Sequence, residues 1–82
     1  MAAEDSAFIE VPLTPTERRL WETLRSRPGH IFSRQELLTL VMPGTVVLTR
    51  TIDVHIRGLR KAVGDQAARI RTVWGRGYCY EE

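Results

Sequence analysis

The same helix-opening device occurs twice in this chain, and it dictates where two segments begin. In Thr14-Pro15-Thr16-Glu17 the threonine hydroxyl can accept from the backbone N–H of Glu17, while the Glu17 carboxylate reaches back to the N–H of Thr14. Pro15 takes the first helical position, where no N–H is needed. Ser33-Arg34-Gln35-Glu36 repeats the box, with Phe32 and Leu37 at the spacing of a hydrophobic staple. Leu20, Trp21 and Leu24 form the apolar stripe of the first helix, which Pro28-Gly29 ends. Leu37, Leu38, Leu40 and Val41 are the expected buried side of the second, stopped by Met42-Pro43-Gly44. His30-Ile31-Phe32 suits a short strand.

A third helix is expected from Thr49 or Arg50 to Val63, because Ile52, Ile56, Leu59 and Val63 line up on one side of a helical wheel. The opposite side carries Arg50, Val54, Arg57, Gly58 and Lys61, and His55 and Arg60 flank the stripe. Val54 is apolar where water is expected, and a mid-helix glycine costs about 1 kcal/mol relative to alanine. A face that presses against something flat and anionic has a use for both. Ile70 to Tyr80 reads as two strands around Gly75-Arg76-Gly77, with Arg76 at an exposed hairpin tip. Residues 7–11 suit one more strand. The apolar run Val46-Val47-Leu48 either folds inward or forms a contact surface; folding inward is favoured, because a small domain needs its apolar side chains for its core.

The 82 residues make one small domain, with 43% hydrophobic and 27% charged residues, which excludes wholesale disorder. No apolar run is long enough to span a membrane, and the acidic first residues are no signal peptide. A single cysteine, Cys79, excludes an internal disulfide and a Cys-rich zinc site and fits a reducing, cytoplasmic location. His30 and His55 stand far apart and no metal-ligand or catalytic spacing is found, so no enzyme, metal or cofactor is expected. The net charge of +2 is unevenly spread: residues 50–76 hold seven bases against two acids, behind an acidic start. Helix, turn, basic helix and arginine-tipped hairpin make an α+β winged helix-turn-helix with a polyanion as its partner. Arg50, Arg57, Arg60, Lys61, Arg71 and Arg76 would supply phosphate and base-edge contacts.

Four strings carry a family resemblance: residues 13–17, residues 32–38, residues 50–61 from Arg50-Thr51-Ile52-Asp53-Val54-His55-Ile56 onward, and residues 70–78. In this order they resemble the OmpR/PhoB-type winged-helix output domain of bacterial two-component response regulators. The resemblance implies sequence-specific binding of double-stranded DNA and transcription regulation, with the third helix in the major groove and the wing in the minor groove. By position, Arg50, Val54, His55, Arg57 and Arg60 match DNA contacts of the family, and Thr72 a backbone contact ahead of the wing. Arg34, Thr51, Gly58, Lys61, Trp74 and Arg76 complete the candidate DNA surface. The loop of residues 42–48, and within it Met42, Pro43, Gly44, Thr45, Val46 and Val47, corresponds to a contact site for RNA polymerase. Family members bind direct repeats as head-to-tail dimers, downstream of a receiver domain.

Three departures from the family pattern stand out. Gly58 occupies the place of a second basic residue, and Trp74 that of a wing arginine, with Arg76 as a substitute. Too few residues precede Thr14 for the usual four-stranded sheet, so residues 1–8 are expected as an arm or the start of a short strand in a reduced N-terminal strand region. Residues 9–82 form the winged-helix domain. The rival reading is a winged-helix protein-interaction module that has lost DNA binding, favoured by apolar Val46, Val47, Leu48, Val54 and Trp74.

Overall fold

Both capping boxes form. In the computed structural model, which describes residues 12–82, the Thr14 hydroxyl accepts from the Glu17 N–H at 3.1 Å and the Thr14 N–H donates to Glu17 Oε1 at 3.0 Å. They open α1, Pro15–Ser26. The reciprocal bonds between Ser33 and Glu36, both 3.0 Å, open α2, Arg34–Val41. The third helix, α3, spans Arg50–Val63 and buries Ile52, Ile56, Leu59, Ala62 and Val63. A 3-10 segment, Gly64–Arg69, follows and leads into β1, Ile70–Val73, and β2, Gly77–Tyr80.

The two strands pair antiparallel, from Ile70 opposite Tyr80 to Val73 opposite Gly77. The hairpin is fastened to the helices through the segment between α1 and α2. Phe32 N–H donates to Tyr78 O at 2.8 Å, Tyr78 N–H returns to Phe32 O at 2.9 Å, and Gly29 N–H donates to Tyr80 O at 2.8 Å. The short strand expected at His30-Ile31-Phe32 is thus a single bridge at Phe32. Leu20, Leu24, Leu37, Val41, Ile52, Ile56, Leu59 and Val63 form the centre of the core. Phe32, Ile70 and Tyr78 join it from the sheet side, and Trp21 meets Tyr80 edge to face at 5.6 Å. The result is a winged helix-turn-helix: three helices and a two-stranded wing. The strand expected at residues 7–11, and the arm before it, lie outside the described residues. Among the described residues no helix is long and apolar enough to cross a membrane.

Two burial expectations are corrected. Leu40 stands 54% exposed, because the short α2 presents only Leu37, Leu38 and Val41 to the core. Val46, Val47 and Leu48 turn outward, at 99%, 38% and 65% exposure. The turn closed by Thr45 N–H on Met42 O carries the chain away from a core that α2 and α3 already fill.

Candidate nucleic-acid interface

The outer face of α3 presents Arg50, Val54, Arg57 and Lys61 to solvent, with Val54 67% exposed. This face is held in place from its flanks. Asp53 Oδ1 accepts from Arg34 Nε at 2.9 Å and from the Tyr78 hydroxyl, so one carboxylate ties α3 to both α2 and the hairpin. Burial first, and then the bond to Asp53, push the Tyr78 phenol above its usual pKa, so it stays a neutral donor. The same carboxylate raises the pKa of Arg34, first through the hydrogen bond. Lower on the same flank, Arg60 Nη2 donates to Ile70 O at 2.7 Å and to Thr72 Oγ1 at 2.9 Å, and the guanidinium lies 5.7 Å from the Tyr78 ring centre. The structure therefore brings Arg60 and Thr72 onto each other, as a clamp between α3 and β1. Thr51 and His55 are half-buried along α3.

Gly58 is not on the open face. It is half-buried, and a Cβ there would overlap the Glu17 carboxylate of α1. The wheel puts it opposite the core, but α1 packs across that flank. The missing side chain makes room for the carboxylate that caps α1 rather than for an approaching ligand. Gly58→Ala trades a helix-propensity gain of up to about 1 kcal/mol against disturbance of a cap worth roughly 0.5–2 kcal/mol. The net change in wild type is expected to stay within about 1 kcal/mol. In a Glu17→Ala background the conflict is gone, and Gly58→Ala should stabilise by about 1 kcal/mol. Thermal melts of the four proteins measure the coupling; purely additive effects would refute the contact.

The wing tip is the three-residue loop Trp74-Gly75-Arg76, closed by Arg76 N–H on Val73 O at 2.9 Å. Arg76 is exposed and Trp74 is 86% exposed. Gly77, expected at the tip, instead opens β2 and is buried against the Phe32 backbone. A notch of about 220 Å³ lies between this loop and the start of α3, lined among others by Arg34, Thr49, Thr72, Trp74 and Arg76. Its guanidinium and hydroxyl donors suit phosphate oxygens. The loop of residues 42–48 exposes Val46, Val47 and Leu48.

The sequence reading gives Asp53 and Tyr78 no site role, yet their hydrogen bond joins α3 to β2 of the wing. An acid in the first turn of a helix suits the helix dipole anywhere, so Asp53 carries no local sign of its partners, 19 and 25 positions away.

Comparison with known proteins agrees with this geometry. Residues 9–80 match the family model described as "Transcriptional regulatory protein, C terminal". The phosphate regulon transcriptional regulatory protein PhoB of Rhizobium meliloti is 48% identical over 75 residues, covering 88% of this chain and 33% of that protein. The transcriptional regulatory protein BaeR of Escherichia coli O6:H1 is 47% identical over 73 residues, covering 84% of this chain and 30% of BaeR. The chain thus spans about a third of the length of these relatives. Among solved structures, the DNA-binding domain of the response regulator AdeR, in complex with an intercistronic region, superposes with a TM-score of 0.78 at 31% identity, covering 88% of this chain and 74% of that one. The Klebsiella pneumoniae RstA DNA-binding domain in complex with the RstA box gives 0.73 at 32% identity, covering 87% and 74%.

Proposed function

Because the chain belongs to the family of transcriptional regulatory protein C-terminal domains, the OmpR/PhoB-type winged helices, we propose that it binds double-stranded DNA sequence-specifically and regulates transcription as the output domain of a response regulator. One observation carries the reading. The face of α3 that shows Arg50, Val54, Arg57 and Lys61 adjoins, at Thr49, a notch lined by Arg34 and Arg76. A basic helix face for the major groove and a cationic wing beside it form one continuous surface. Arg50, Val54, Arg57 and Lys61 would meet base edges and phosphates, and Arg34, Thr49, Thr72, Trp74 and Arg76 the backbone and minor groove beside them. Thr51, His55 and Arg60 would act at the rim, Arg60 chiefly through its hold on Thr72.

The relatives' names and the exposed apolar loop support further parts of the role. Met42, Pro43, Gly44, Thr45, Val46 and Val47 would contact RNA polymerase, Val46 being almost fully exposed. Head-to-tail dimers on direct repeats, a receiver domain elsewhere in the full-length protein and a cytoplasmic location complete the proposal. The role calls for no catalysis, cofactor or metal.

The test is selection of bound sequences from random duplex DNA, followed by affinity measured across salt. The logarithm of the binding constant should fall with the logarithm of salt concentration, by roughly 0.9 per phosphate neutralised. A salt-insensitive complex, or none with any duplex, would favour the protein-interaction module instead.

A further inference from the structure

We propose that Trp74 is a wedge that the wing inserts between adjacent base pairs, so that the chain selects sites with a deformable pyrimidine–purine step under the hairpin. This rests on the DNA-binding reading above and adds a specificity determinant to it. The two tryptophans have opposite fates. Trp21 is buried in the core beside Tyr80, whereas Trp74 shows 86% of its surface to solvent at the apex of the hairpin. An indole left in water forgoes the burial that makes it the most valuable anchor at an interface.

Its mounting is firm. The ladder runs up to the Val73–Gly77 pair, and Arg76 N–H on Val73 O closes the loop directly above it. Gly75 follows with no side chain to shield the ring. Around it stand mainly cations and hydroxyls: Arg34, Thr49, Thr72 and Arg76 line the same notch, with Val73 the one other apolar side chain. An apolar protein partner would cover the Arg76 guanidinium and the Arg34 N–H groups that Asp53 does not engage without offering them acceptors, while a phosphate backbone satisfies them on either side of an opened step. A neutral indole gains nothing from the negative potential of a narrow groove. It gains by displacing water and stacking on bases, as apolar wedges in minor-groove binders do. Unstacking costs least at TA and CA/TG steps and most in stiff A-tracts.

The experiment starts from a duplex selected by the full chain, into which a TA step or an A-tract is moved position by position across the flanks. Affinity is measured, and bending is read by energy transfer between end labels. At one register the TA step should bind about five- to tenfold more tightly than the A-tract and bend the duplex. Trp74→Ala should lose both effects at that register alone, and Trp74→Leu, still an apolar wedge, should keep most of them. Thermal melts confirm that both variants fold. The proposal is overturned if Trp74→Ala keeps the step preference and the bend. It is overturned too if the variant binds single sites normally and loses only cooperativity between copies, which would assign the indole to a protein contact. A wild type that binds no selected duplex sinks the DNA-binding reading itself and the wedge with it. Normal binding without step preference sinks the wedge alone.

Discussion

Gly77→Ala is expected to unfold most of the molecules at physiological temperature. The glycine has a φ of +146°, a conformation that side chains rarely adopt. A Cβ there would overlap the Phe32 carbonyl oxygen and lie 2.9 Å from both the Phe32 carbonyl carbon and Ser33 Cα. These are backbone atoms and cannot rotate away. Nor can the segment retreat, because Phe32 and Tyr78 exchange two backbone hydrogen bonds next to the clash and both side chains are buried. The strained φ costs roughly 1–3 kcal/mol, and losing the bridge roughly 0.5–1.5 kcal/mol per bond. Displacing Phe32 from the core adds more. The total, about 4 kcal/mol or above, is comparable with the whole stability of a domain this small, roughly 4–12 kcal/mol. Gly75→Ala is the control: its Cβ meets open space, so only the positive φ of +78° is penalised. That should cost about 1–2 kcal/mol. Circular dichroism melts of the two variants separate the cases, and a Gly77→Ala melting temperature within a few degrees of wild type would show that β2 is not pinned to Phe32.

The same glycine shows where sequence reasoning stops. Features that depend on neighbours within one or two turns were legible. Both capping boxes formed bond for bond, and the stripe Ile52, Ile56, Leu59, Val63 is buried as its spacing requires. Periodicity says which side of a helix faces the core, but not which element covers its flanks. Gly58 therefore looked like part of the open face, while Glu17 of α1, about forty positions earlier, lies over it. Gly77 looked like a turn residue because it follows Gly75-Arg76, while the constraint comes from Phe32. Arg60 reads from the sequence as a DNA contact, although its Nη2 is engaged by Ile70 and Thr72. The general need of small domains for core points Val46, Val47 and Leu48 inward, but it carries no information about whether the space is already taken.

What remains on α3 once the flanks are covered is a narrower surface than the wheel suggests, and Arg57 is near its middle, between Val54 and Lys61. Arg57→Ala should leave stability within about 0.5 kcal/mol of wild type, because the side chain is exposed. If its guanidinium reads a base edge, specific binding should weaken by about 1–3 kcal/mol, with selectivity relaxed at one position of the site. A phosphate contact predicts a different pattern: cognate and scrambled duplexes weaken together, and the salt slope shrinks by about one unit. Titrating wild type and variant against both duplexes at several salt concentrations distinguishes the two. Val54→Ala on the same face removes no charge, so it should change selectivity, if it meets a thymine methyl, and leave the salt slope alone. Unchanged affinity of Arg57→Ala for every duplex would mean that this face of α3 does not meet DNA, and the interface would have to be rebuilt around the wing and the loop of residues 42–48.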